Sequence, residues 1–353
     1  MNASNRTLRT IAVIVLAVIL LRLICSWTLG EKYEIFSQPE IASFLIFADT
    51  GKTPQTTDPA DAPDTTLATE STEPVTDPIP EETSEPPAPP EPMVMPQVPD
   101  QGQTFTAADA SYIEINYAAK RQPDVEALLT EPLHWDLTAD EPTVLLIHTH
   151  GTEAYTPTEN NVYREEGGEF RTTDNNCNMI SIGEEMARLL REAGINVVHD
   201  TTLYDYPDYL SSYDNCRIGM EEQLKKYPSV KLVIDLHRDS AENEVGGQWA
   251  TSCVINGERS AQVMLVMGTN VYYEHPGWEQ NLSMALKFQA LMEKTHPGSV
   301  RPLDLRKQRF NQDLNTGAMI AEIGSAGNTH YEAMNAASVL TEAIILLAKG
   351  ANT

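Results

Sequence analysis

From Pro142 onward, short runs of apolar residues alternate with longer stretches in which apolar positions recur every three to four residues. This is the rhythm of strand and helix in turn. Val144–Ile147 is uniformly apolar and predicts a strand buried on both faces. Ile180–Ala193 sets Ile182, Met186, Leu189, Leu190 and Ala193 on one side of a helix that Gly194 stops. The spacing then predicts a strand over Ile195–Val198, a weaker helix over Tyr209–Tyr227, and strands over Val230–Leu236 and Gln262–Met267. A helix over Asn281–Thr295 ended by Pro297-Gly298, a strand over Ala318–Ile323 and a closing helix over Tyr331–Lys349 complete the series. Such alternation predicts an α/β fold, an open and mostly parallel sheet flanked by helices. No internal repeat is visible.

The pattern before residue 104 is different. Ile11–Leu21 is continuously apolar, Arg22 interrupts, and Leu23–Leu29 resumes the run, with Arg6 and Arg9 ahead of it. About 20 residues span a bilayer, so 11–29 reaches across if Arg22 snorkels, and the basic residues 1–10 then stay in the cytoplasm. No small-residue cleavage site follows, which favours one uncleaved transmembrane helix over a removed signal peptide. Residues 30–52 form a membrane-proximal connector without evident chemistry. Residues 53–103 are dominated by Pro, Thr, Glu, Asp and Ser, too poor in apolar side chains to offset the entropy of ordering, and predict a disordered acidic linker. The folded domain is expected over 104–353.

Charge and cysteine content narrow the function. The chain of 353 residues has a formal net charge of -27, and no Lys or Arg occurs between Thr53 and Ala119. A polyanion without a basic stripe repels nucleic acid, so no nucleic-acid partner is expected. Of the 4 cysteines, Cys25 falls in the anchor, while Cys177, Cys216 and Cys253 are scattered and form no C-x-x-C pair. They describe neither a disulfide framework nor a thiolate metal site, and read as small apolar residues.

Three strand ends carry the candidate chemistry, and in sheets of this class ligands gather at the strands' carboxyl ends. After Val144–Ile147 come His148, Thr149 and His150. If the strand continues, both histidines share a face and reach one metal; if the chain turns at Thr149, one does. His237 follows the next strand, with Arg238 and Asp239 as a charged pair able to orient ligands or substrate. Glu322 closes a third strand before Gly324, Gly327 and Asn328, a turn-rich stretch that brings backbone close to a ligand. A buried carboxylate is costly unless paired or working, and Glu322 is assigned as general base beside a metal-activated water, the alternative being a partner for Arg238 or Arg309. A catalytic zinc needs three protein ligands and one open position; Glu153, close to His150, is a candidate for the third. Tyr155, Asn311 and Gln312 are candidate groove residues. His134, His199, His275, His296 and His330 read as surface or structural.

Four segments, His148-Thr149-His150-Gly151-Thr152-Glu153-Ala154-Tyr155, Asp235-Leu236-His237-Arg238-Asp239-Ser240, Asn311-Gln312-Asp313-Leu314 and Glu322-Ile323-Gly324 followed by Asn328-Thr329, resemble the stage II sporulation protein P family in order. The single anchor and acidic linker agree with it. The resemblance implies a zinc (Zn2+) N-acetylmuramoyl-L-alanine amidase-like fold acting on peptidoglycan, with endopeptidase activity on cross-links, in septal thinning and forespore engulfment. It implies a single-pass membrane protein whose catalytic domain lies between the mother-cell and forespore membranes, with stage II sporulation proteins D and M as partners. The wider zinc amidases supply a glutamate ligand at the start of the helix after the first strand, where this chain has Asn175–Asn178. Aligning their Gly-His-Gly with Thr149-His150-Gly151 favours His150 as ligand, while the strand-end argument permits His148. The competing reading is a non-catalytic peptidoglycan-binding scaffold on an amidase-like fold.

Overall fold

The computed structural model describes residues 95–118, 122–241 and 247–352. The anchor expected over 11–29, the connector over 30–52 and the linker up to residue 94 lie outside them. Among the described residues no helix is long and apolar enough to cross a membrane. Residues 95–103, grouped by composition with the linker, join the domain instead: Met95 and Val98 pack on its main core. Gln103 N–H donates to Gly350 O at 3.0 Å, and Asn352 N–H donates to Gln103 O at 2.7 Å.

In chain order the elements are β1 (Ile115–Asn116), α1 (Val125–Thr130), β2 (Val144–Ile147), α2 (Met179–Glu192), β3 (Val197–His199), α3 (Ser212–Lys226) and β4 (Leu232–Asp239). There follow β5 (Ser252–Ile255), β6 (Glu258–Ala261), β7 (Val263–Met267), α4 (Trp278–Thr295), β8 (Leu303–Leu305), β9 (Ala318–Ser325) and α5 (His330–Leu347). One sheet has the order β1-β8-β7-β9-β4-β2-β3, and β5 and β6 form a separate hairpin. The strands β3, β2, β4 and β9 run parallel. β7 lies antiparallel on β9, and β8 and β1 follow β7. The sheet is therefore mostly parallel, as the alternation of elements predicts, and consists of two parallel blocks of opposite polarity.

Both faces are covered, unequally. Val144 and Leu146 of β2 point into the large core beneath α2, α4 and α5. Leu145 and Ile147 point the other way, to Cys216 and Met220 of α3. On that second face β7 and β9 carry Met264, Val266 and Ile320 under Phe310 alone. One helix and one aromatic ring leave an opening there, and alternation along β4 and β9 turns Asp235, His237 and Glu322 towards it.

Several boundaries differ from the pattern-based reading. The helix expected from Tyr209 starts as a 3-10 turn over Tyr209–Ser211, capped by the Asp208 side chain accepting from Leu210 N–H, and becomes α-helical at Ser212. β4 does not stop at Leu236; it continues to Asp239 because β9 runs on beside it, with a register shift after His237. His237 is thus inside a strand rather than beyond its end. The short β1, β8 and α1 and the β5–β6 hairpin were not expected, because two to six residues are too few to display a period.

Lys287 on α4 is fully buried. Its Nζ donates to Leu128 O at 2.9 Å and lies 2.9 Å from Ser283 Oγ, serving the carbonyl end of α1. Burial lowers its pKa from 10.5 to about 8. Between those values the unfolded chain binds more protons than the folded one, so stability rises with pH across that window and the full penalty is present below it. Urea denaturation at pH 7.5 and pH 9.5 should show the stability of the parent relative to Lys287→Met rising by about 1–2 kcal/mol between the two, a difference in which the titrations shared by both proteins, such as those of His237 and Glu322, cancel.

Candidate metal centre

The turn after β2 is set by two buried carboxylates. Asp235 on β4 accepts from Thr149 N–H at 2.7 Å and from its hydroxyl at 2.6 Å. Asp205 accepts from the Thr152 hydroxyl at 2.6 Å and from Thr152 N–H at 3.3 Å. The segment between them is pinned at both ends, and the two flanking histidines part company. His148 goes into the interior, where Nε2 lies 2.8 Å from His199 Nε2 and Nδ1 lies 3.4 Å from Leu236 O. Room for this pair comes from Gly183, where an added Cβ would stand 2.5 Å from His199 Nε2 and 2.7 Å from His148 Nε2. Burial, and then His199, push the His148 pKa down to about 3, so it is a neutral ring. His199 continues to Glu184 through Nδ1 at 3.1 Å.

His150 takes the opposite direction and reaches the opening in the sheet. Its ring stacks on Tyr209 with centroids 4.5 Å apart and meets the His237 ring edge-on at 5.2 Å. Burial lowers its pKa to about 4. On β4, His237 Nε2 is 3.0 Å from Asp235 Oδ1 and Nδ1 is 3.8 Å from Glu153 Oε2. Burial disfavours its charge, yet Asp235, Glu153 and Glu322 together raise its pKa to about 10. Glu153 is itself buried but held ionised by Arg238, His150 and His237, and its Oε2 accepts from Arg238 N–H at 3.1 Å. Glu322 lies opposite His237 in the β4–β9 register. Burial first, then Glu153 and Asp239, push its pKa up to about 8, and among the described residues no cation comes within ion-pair distance of it.

These groups line a cleft of ≈ 360 Å³. Among the described residues, no three His, Cys, Asp or Glu side chains are already gathered around one point as a finished cation site. The chemistry of the donors nevertheless fits a cation. His150 Nδ1 and Glu322 Oε2 are buried without a hydrogen-bond partner, and three carboxylates face the His237 imidazole, whose Nε2 Asp235 already engages. His150, His237 and Glu153 are of the donor types, two imidazoles and one carboxylate, that a three-ligand site with a fourth position open would use. Asp235 beside His237 is the kind of outer carboxylate that orients a ligating ring.

The other sequence candidates fall in varied places. Arg238 lines the cleft and braces it, donating through Nε to Ala154 O at 3.0 Å and through Nη2 to Phe170 O at 3.0 Å. Asp239 lines it too and pairs with Arg301 at 2.7 Å. Tyr155 is not in a groove: it is fully buried, its hydroxyl donating to Ile323 O at 2.7 Å. Asn311, with a left-handed φ of 58°, donates to Tyr213 O at 2.9 Å and so props a cleft residue from behind. Gln312 accepts from Gly268 N–H and donates to Val266 O, both at 2.9 Å, within the fold. Asn328 accepts from Ser325 N–H at 3.0 Å and donates to Glu332 at 2.9 Å, shaping the turn before α5.

Residues not singled out from sequence also belong here. Asp235 is two positions before His237 on one strand face, a signal that period-two spacing carries. Tyr209 and Tyr213 flank the two imidazoles, but their stretch reads only as a weak helix. Arg171, in the long connection before α2, lies over the Tyr209 ring at 3.8 Å, and nothing in the pattern there announces it.

The sequence profile of stage II sporulation protein P matches residues 60–345. Stage II sporulation protein P of Bacillus subtilis is 26% identical over 216 residues, which cover 58% of this chain and 51% of that protein. The match thus spans about half the length of that relative. Among solved structures, the N-acetylmuramyl-L-alanine amidase of Mycobacterium smegmatis aligns with a TM-score of 0.35 at 10% identity, covering 59% of this chain and 98% of that one. The N-acetylmuramoyl-L-alanine amidase from Clostridium difficile 630 aligns with a TM-score of 0.33 at 15% identity, covering 59% and 94%. The profile match extends over most of the sequence, from within the acidic segment to the last turns of α5, and on that ground the chain belongs to the stage II sporulation protein P family.

Proposed function

We propose that this chain is a zinc-dependent peptidoglycan hydrolase, an N-acetylmuramoyl-L-alanine amidase with endopeptidase activity on cross-links, acting in septal thinning and engulfment of the forespore. The observation that carries the reading is Glu322, a half-buried carboxylate opposite His237 whose Oε2 is shut from solvent without a partner, beside His150 and Glu153. Family membership supports it.

In this reading His150, His237 and Glu153 hold the ion. When bound, zinc supplies Lewis acidity, polarising a carbonyl and acidifying water. The chain's own residues do the rest. Asp235 fixes the His237 ring from its Nε2 side, leaving Nδ1 towards Glu153, and Arg238 N–H holds Glu153 in place. Glu322 takes the proton from the attacking water and returns it to the leaving nitrogen, the role of a carboxylate that faces the site from the neighbouring strand. Tyr209 and Tyr213 exclude solvent from the imidazoles.

The same reading makes the protein a single-pass membrane protein through residues 11–29, with its catalytic domain in the space between the mother-cell and forespore membranes and stage II sporulation proteins D and M as partners. Mass spectrometry of peptidoglycan treated with the full-length chain tests the activity. Free stem peptides are expected, a chelator should abolish their release, and added zinc should restore it. Retention of the chain on peptidoglycan with no new ends would favour the scaffold reading.

A further inference from the structure

We infer that Arg171 is a specificity residue that reads a free carboxylate on the substrate near the scissile amide, taken here as the α-carboxylate of the second residue of the stem peptide. This rests on the amide-hydrolase reading above. The cleft wall contains four carboxylates, Glu153, Glu169, Asp239 and Glu322, and two arginines. An anionic substrate group entering there needs a cation that is not already spoken for.

Arg238 is committed, with Nε and Nη2 each 3.0 Å from backbone carbonyls and Nη1 3.7 Å from Glu153 Oε1. Arg171 is different. Among the described residues its guanidinium makes no hydrogen bond; its one charged neighbour is Glu153 Oε1, at 4.0 Å. The side chain is 15% exposed, so the guanidinium lies at the cleft wall with no protein acceptor among the described residues and with its donors free for a ligand.

Its position is fixed rather than incidental. The guanidinium carbon sits 3.8 Å above the Tyr209 ring, and that ring stacks on His150. The backbone is anchored by Glu166 N–H donating to Arg171 O at 2.9 Å. The planar fork is thereby held at the edge of the candidate metal site, where it can take both oxygens of a carboxylate. Stem peptides carry this group either free or amidated, and an amide cannot neutralise the guanidinium.

Two synthetic disaccharide peptides, identical except that the second residue's α-carboxylate is free or amidated, test this with the full-length zinc-loaded chain. The parent should favour the free acid by at least about tenfold in kcat/KM, the scale of a hydrogen bond to a charged group. Arg171→Gln should bring the ratio near one, and Arg171→Lys should restore part of it, with bound zinc unchanged in both variants. Equal cleavage of the two substrates by the parent, or an unchanged ratio in Arg171→Gln, would overturn the inference and leave the hydrolase reading standing. A loss of zinc with equal falls on both substrates would also overturn it, by showing that Arg171 serves Glu153. Cleavage of neither substrate by the parent would overturn both readings.

Discussion

If the chain is the zinc hydrolase proposed above, Glu322→Gln is expected to lower peptidoglycan hydrolysis by roughly 10²–10⁴-fold, the range that general acid–base catalysis supplies, with fold and zinc content unchanged. The substitution preserves shape and removes only the capacity to carry a proton. Because burial and the neighbouring Glu153 already disfavour the Glu322 charge, a neutral amide there should cost nothing in stability. Turnover, zinc content and urea denaturation measured on the same preparation separate the cases. Equal turnover in parent and variant would sink Glu322 as the base, and lost zinc would make it a ligand.

Asp235→Ala should damage both structure and metal binding. Asp235 is buried and joins β4 to the turn after β2 through the two bonds from Thr149, while its other side faces His237. Truncation leaves a buried N–H, a hydroxyl and a polar ring without their partner. A destabilisation of about 3–5 kcal/mol is expected, as when one member of a buried ionic network is removed. Zinc affinity should fall about 10–100-fold through the loss of ring orientation. Asp235→Asn keeps an acceptor for Thr149 and should recover most of the stability but not the affinity. Denaturation and zinc titration of the two variants check this; an Asp235→Ala protein that melts like the parent would show that the turn is held by other means.

Strands and helices whose burial imposes a period were legible in the sequence. Val144–Ile147, the face of α2 and the long α4 could be read because each buries a regular set of side chains. The polarity of the sheet could not, since the reversal at β7 depends on which neighbour it pairs with, and period-two spacing is the same in either direction. The site was legible as three segments. Its wiring was not: whether His148 or His150 meets His237 depends on the chain turning at Thr149, and that turn is enforced by Asp235 and Asp205, distant in sequence. Tyr155, Asn311, Gln312 and Asn328 carry polar groups in motif positions, but those groups close backbone hydrogen bonds, which the residue type alone does not distinguish from contact with substrate. Arg171 lies in a connection whose conformation has no period.

Gln103 bonds to the backbone beyond the last turn of α5, whereas α5 starts at His330, just after Ala326 of the cleft wall. A helix of 18 residues is about 27 Å long, which separates the Gln103 contact from the start of α5 by about that length. A pull on the backbone at Gln103 would therefore reach the fold beside the C-terminal end of α5 and not through the strands that carry His237 and Glu322. The neighbouring positions of Gln103 and Asn352 also mean that the two could be spliced and new ends opened elsewhere without disturbing those strands.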